Sequence, residues 1–122
     1  MAISALNISL PIYNDDKSLS FKKVADFMGI NETHILKIAP ISKSALSRNV
    51  TQNTIRKMQP LLHLLNLLWD LSEGDKGQVR QWLNHPRMEW KGLSPINLLE
   101  HGKIDELIRF LEGLIEGEAM GA

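Results

Sequence analysis

The side chains best able to hold a metal or move a proton near neutral pH are four histidines, His34, His63, His85 and His101. A zinc-type site would need two of them three or four residues apart on a helix, or a pair of cysteines. The histidines stand far apart in sequence, and the 122-residue chain has no cysteine, which also excludes disulfides. Neither a nucleophile beside a base nor a glycine-rich phosphate loop is visible. Gly29, Gly74, Gly92 and Gly102 fall instead where helices end or turns are needed. The residues therefore point to a binding protein, not an enzyme, with no cofactor and no metal.

Charge offers a second lead. Net charge is zero, but residues 1–60 carry eight basic and four acidic side chains, net +4, and residues 61–122 carry six and ten, net −4. A basic half suits nucleic acid, although a few charges either way also arise by chance in a chain of this size. Within that half, Asn31 to Arg48 reads as two short helices joined by a tight connection, the pattern of a helix-turn-helix. Ile35, Ile38, Ile41 and Leu46 would be its internal contacts. Lys43, Ser44, Ser47 and Arg48 would face outward, a basic and hydroxyl-bearing set suited to phosphates and base edges. Pro40 stands where such turns usually hold glycine, and two small packed helices without DNA contact remain the alternative.

The most specific pattern lies further on. Trp82-Leu83-Asn84-His85-Pro86 is followed by Gly92-Leu93-Ser94-Pro95-Ile96-Asn97-Leu98-Leu99, then Gly102 and a helix closing on Leu111 and Ile115-Glu116-Gly117. Over residues 64–118 this resembles the C-terminal toxin-binding domain of the Xre/MbcA/ParS antitoxin family, which also carries a helix-turn-helix ahead of it. The family usually has leucine and glycine just before the motif glycine, where this chain has Trp90 and Lys91. The resemblance implies the antitoxin of a type II toxin–antitoxin pair. Its partner would be a RES-domain toxin that consumes NAD, neutralised by covering the active-site cleft, and the complex would repress its own operon. On this chain the toxin-facing residues would be Arg109, Glu112, Glu116 and Met120 of the last helix and tail, with Trp90 beside them. An acidic half suits a cleft built to hold a pyrophosphate. A helix-turn-helix transcriptional regulator without a toxin partner is the other reading.

The motif also makes sense as structure. Trp82 can wedge the helix that carries it onto the last helix, Pro86 and Pro95 stiffen the intervening loop, and Gly92 supplies a turn at positive φ. Leu98 and Leu99 read as core. Trp90, in a loop between Glu89 and Lys91, reads as an exposed interface anchor.

The elements that must position these residues read as all-α. Residues 1–18 form an arm in which Pro11 breaks an alternating run and Asn14-Asp15-Asp16 makes a turn. Ser20, Asn31, Ser42, Thr51 or Asn53, Asp75 and Ser94 are N-caps. They open helices ending near Met28, Ala39, Arg48, Leu71, Asn84 and Glu100, before a last helix from about Lys103 with Ile104, Leu107, Ile108, Leu111 and Ile115 on one face. Pro60 should kink the fourth helix or mark its start. Leu61 to Leu71 is apolar nearly all round, which suggests burial in the chain's own core and against a second copy, as a homodimer or a larger hetero-assembly. The domains read as 1–18 arm, 19–60 DNA-binding or dimerisation unit and 61–122 toxin-binding unit. No membrane-length apolar run or signal peptide is present, so the expected location is the cytoplasm.

Overall fold

Side-chain caps fix where most of the helices begin. In a computed structural model that describes residues 10–46 and 50–119, the Ser20 hydroxyl accepts the Lys23 N–H (3.1 Å) and opens α1, Phe21–Met28. Thr51 accepts from Thr54 and opens α4, Gln52–Leu71. Asp75 does the same for α5, Lys76–Asn84, through the Gln78 N–H. Ser94 and Asn97 form a reciprocal capping box at α6, Pro95–Glu100. The last helix, α7, runs Ile104–Ala119. The fold among the described residues is all-α, with only isolated bridges Tyr13–Leu19 and Arg87–Leu93 in extended conformation.

The segment after Asn31 departs from the expected single helix. Asn31 makes no side-chain cap bond, and the first turn tightens into a 3₁₀ turn, Glu32–His34, closed by His34 N–H to the Asn31 carbonyl at 3.0 Å. Only α2, Ile35–Ile38, is α-helical, and α3, Lys43–Leu46, follows. Ala39, just before Pro40, is extended at φ −136° and ψ 145°, as the proline ring requires. Ser47 and Arg48, expected on the outward face of α3, lie outside the described residues, as does Met120.

Two expectations about organisation change. The arm, where it is described, is part of the core: Leu10 and Ile12 are buried, and a turn closed by Asn14 N–H to the Ser18 carbonyl (2.8 Å) returns the chain to Leu19 and α1. Pro60 lies inside α4 at an exposed position, so the bond it cannot donate is lost on the solvent side and the helix runs on from Gln52 to Leu71. A boundary at residue 60 would therefore cut one continuous helix. Leu61, Leu62, Leu64, Leu65 and Leu68 of α4 are buried in the chain's own core. The apolar circumference that suggested a second copy is covered largely from within, by α7 and α5 and by the Phe27 ring of α1 against Trp69 (5.5 Å). No helix of the described residues is long and apolar enough to cross a membrane.

Polar ties bind the basic half to the acidic one. The carbonyls at the end of α1 are capped from α5: Arg80 Nε donates to the Asp26 carbonyl (2.7 Å) and Asn84 Nδ2 to that of Met28 (3.0 Å). Lys76 and Arg80 also pair with the Asp26 carboxylate, holding it below the usual range, the Lys76 hydrogen bond being the largest cause. Positive charge at a helix C-terminus is also favourable to the dipole. A second tie joins the 3₁₀ turn to the end of α6, where His34 Nε2 meets Glu100. Burial pushes the Glu100 carboxyl up, but hydrogen bonds from His34 and Asn97, with the His34 and Lys37 charges, outweigh it and hold the group below the usual glutamate value. A carboxyl depressed in the folded state stabilises above its unfolded value, and that contribution is lost as pH falls. Urea midpoints should therefore fall less steeply between about pH 5 and 3 in Glu100→Gln than in the wild type. Parallel profiles for the two proteins would show that the tie carries no linkage.

Candidate functional site

Pro86 ends α5, and the chain turns at once through a closed loop. Arg87 N–H bonds the Leu93 carbonyl (3.1 Å), and Gly92 and Trp90 N–H groups return to the Arg87 carbonyl at 2.9 and 3.1 Å. Closing so short a loop requires left-handed backbone at Lys91 (φ 56°) and Gly92 (φ 86°). The positive φ expected of Gly92 is present. Lys91 takes the same conformation without being glycine.

This loop sets an aromatic lock. The Trp82 ring of α5 stacks on Phe110 of α7 with centroids 6.5 Å apart and planes 19° from parallel. Trp90 meets Phe110 edge-on at 5.2 Å and Trp82 at 6.1 Å. The Arg87 guanidinium lies over both indoles, 5.8 and 5.7 Å from their centroids, and donates to Glu89 Oε2 at 2.9 Å. Trp82 thus does wedge its helix onto the last one. Trp90 is half-buried against Phe110 and Trp82, not a free-standing loop anchor, because the loop folds its ring back onto α7. Phe110, the hub of the cluster, is missing from the sequence-based site because it lies beside the apolar stripe of Ile104, Leu107, Ile108, Leu111 and Ile115. An aromatic one step off such a stripe was the signal for it. Leu98 and Leu99 are buried, as core.

The expected toxin-facing residues do not share one surface. Arg109, Glu112 and Glu116 are exposed, and with Asp105 they form a stripe along α7 at spacings of three or four residues. Glu112 reaches His63 of α4, Oε2 to Nε2 3.2 Å. At roughly 100° per residue, Phe110 and Leu114 lie about 120–160° around the helix from Glu112 and Glu116. Trp90 packs on the Phe110 side. The charged stripe and the aromatic lock are therefore opposite flanks of α7, with the buried face between them.

A third region is polar. Lys43 and Ser44 of α3 are exposed, and a groove of about 190 Å³ separates this helix from the start of α4. Ser42, Ser44, Thr51, Asn53, Thr54 and Lys57 line it. Ser42 and Ser44 hydroxyl oxygens are 3.0 Å apart, and those of Thr51 and Thr54 are 3.1 Å apart. The α4 residues are absent from the sequence-based DNA set, although the polar run around Asn49–Asn53 is visible in the sequence. Hydroxyl, amide and ammonium groups of this kind can meet phosphate oxygens and base edges.

No family model matches the chain, and no curated protein matches it.

The left-handed backbone at Lys91 generates a direct test. A side chain in this region costs about 1–2 kcal/mol that glycine avoids, against a smaller entropic loss. Lys91→Gly should raise unfolding free energy by about 0.5–1 kcal/mol in urea denaturation. A destabilised variant would mean that the Lys91 side chain supports the loop in ways its exposure does not suggest.

Proposed function

We propose that the protein is the antitoxin of a type II toxin–antitoxin pair. It neutralises a RES-domain toxin that consumes NAD by covering the toxin's active site, and it represses its own operon through DNA. The observation that carries this reading is the exposed stripe Asp105, Arg109, Glu112 and Glu116 on a helix locked from behind by the tryptophan motif. A rigid, mainly acidic helix face can enter a cationic pyrophosphate cleft with little ordering cost. The sequence resemblance supports the same assignment. The toxin-facing surface is then the charged flank, and Trp90 supports it from the opposite side of α7 as part of the lock.

Alanine at Arg109, Glu112 and Glu116 together should abolish growth rescue when the protein is co-expressed with a RES-type toxin that the wild type neutralises. Each exposed change should cost only about half a kcal/mol of stability, whereas a charge removed from a desolvated interface costs about 2 kcal/mol or more of binding. Met88→Ala is the control, since Met88 is 92% exposed on the loop of the aromatic lock. Circular dichroism checks the fold. Growth rescue by the triple variant, with undiminished toxin affinity, would place the inhibitory surface elsewhere. A wild-type protein that binds no such toxin would end the antitoxin reading.

For DNA, the polar groove favours contact through Lys43, Ser44 and the start of α4, with two or more copies reading a repeated site because one basic half is a small electrostatic footprint. Lys43→Ala with Lys57→Ala should weaken operator binding. It should also lower the slope of log affinity against log salt by about 2 per monomer bound. Unchanged affinity and slope in gel-shift titrations would remove this face as the reader.

A further inference from the structure

On the aromatic flank of α7, opposite the charged stripe, the end of α4 together with α5 and α7 encloses a groove of about 520 Å³. That lies within the range of roughly 300–1,000 Å³ occupied by small-molecule sites. Its apolar wall is aliphatic, from Leu68, Leu71 and Leu111, with Leu114 at the edge still 45% exposed. The indole of Trp82 forms part of the lining, and Arg87 brings a fixed cation to it. None of the residues lining the groove is acidic.

Arg87 is unusually well placed for a guanidinium on a small protein. Two indole rings hold it from the sides, so its orientation is set before any ligand arrives. Glu89 takes one of its five N–H donors, and the Nε atom is buried without an acceptor. The side chain remains 27% exposed. Leucines and the Trp82 ring, the polar groups of Ser72, Gln78, Gln81 and His85, and the Arg87 cation, which Glu89 holds from outside the lining, together have the polarity of a ligand with a hydrocarbon tail and an anionic head.

We propose that this groove binds a small amphipathic carboxylate. The hydrocarbon lies along Leu68, Leu71, Leu111 and Leu114, and the carboxylate shares the Arg87 fork with Glu89, against Trp82. The guanidinium N–H donors that Glu89 leaves free, with no acid in the lining itself, favour this occupant over a neutral or cationic amphiphile. The site is separate from the surface assigned to toxin and from the polar groove assigned to DNA, so it stands or falls independently of that function.

The test uses the full chain with three probes of equal tail length: octanoate, 1-octanol and octylammonium. Binding is read by tryptophan fluorescence and by calorimetry. Octanoate should saturate with a dissociation constant of about 0.1–1 mM, and the other two should bind at least about tenfold more weakly. Two exposed-site variants then reverse the sign of the added charge without touching the core. Leu114→Glu should weaken octanoate by about fivefold or more, and Leu114→Lys should tighten it. Arg87→Gln should erase the preference for octanoate over octanol, with circular dichroism confirming that all three variants fold. Equal binding of the three probes, no saturable octanoate binding, or indifference to the charge at position 114 would each overturn the proposal. So would concentration-dependent dimerisation, seen by sedimentation, that Leu114→Glu abolishes and octanoate leaves unchanged, because the groove would then be a subunit interface.

Discussion

The constraint on which the structure turns is the need to cover α4. A 20-residue helix with buried leucines at 61, 62, 64, 65 and 68 presents apolar surface over most of its girth. Burying one leucine side chain is worth about 1.5–3 kcal/mol, so leaving even two or three exposed would consume much of the 5–15 kcal/mol by which a small domain is stable. In 122 residues no single neighbouring helix is broad enough to do it. Elements from both ends of the chain are drawn in: α7 and α5 pack on α4, and Phe27 of α1 meets Trp69. The basic and acidic halves consequently share a core, however differently their surfaces are charged.

Sharing a core leaves polar backbone at the joins, and the cross-chain hydrogen bonds meet it there. At the end of α1, Asn84 supplies a donor to the Met28 carbonyl and Arg80 adds a second donor to the Asp26 carbonyl, which already accepts the Gly29 N–H, while Lys76 and Arg80 bring compensating charge. Gly29 stands beside Asn84, and a Cβ there would come within 3.3 Å of the amide nitrogen. Its positive φ, 75°, and this close approach both favour glycine at the position. The His34–Glu100 contact makes the corresponding join between the 3₁₀ turn and α6. The segment from Glu32 to Leu46, held this way, cannot swing freely against the C-terminal helices. Any partner bound to one half meets a surface whose orientation the other half has already set.

Most of the helix boundaries were legible in the sequence because they are decided locally. Ser20, Thr51, Asp75 and Ser94 each satisfy an N–H three residues away, so the cap needs no knowledge of the tertiary fold. Gly92 takes the positive φ expected of it, and Gly29, Gly74 and Gly102, read as helix ends or turns, also stand at positive φ. What depended on distant partners was not legible. Asn31 has the composition of a cap and makes no cap bond. Pro60 breaks a local rule that α4 tolerates, because its missing bond faces solvent. The burial of Leu10 and Ile12 follows from a turn that folds them under α1, which alternating polarity alone could not reveal. At the candidate site, Trp82 was readable as a wedge, but its counterpart Phe110 was hidden beside a stronger stripe. The pairing of Trp90 with Phe110 was decided by the loop's left-handed closure.

That closure also explains why α7 has two unlike flanks. Once Lys91 and Gly92 turn the loop back, Trp90 and Arg87 must pack against whatever α7 offers on that side, and Phe110 supplies a ring face there. Aromatic partners and a guanidinium over two indoles then concentrate apolar and cationic surface on the same flank, with Leu114 one turn further along. Asp105, Arg109, Glu112 and Glu116 fall on the opposite flank by helical geometry, where solvent accepts them at no packing cost. Segregating polarity in this way around a single helix gives two surfaces of contrasting chemistry that share one rigid support. Each can be changed at exposed positions without disturbing the leucines between them, which makes the two functional assignments separable in one chain.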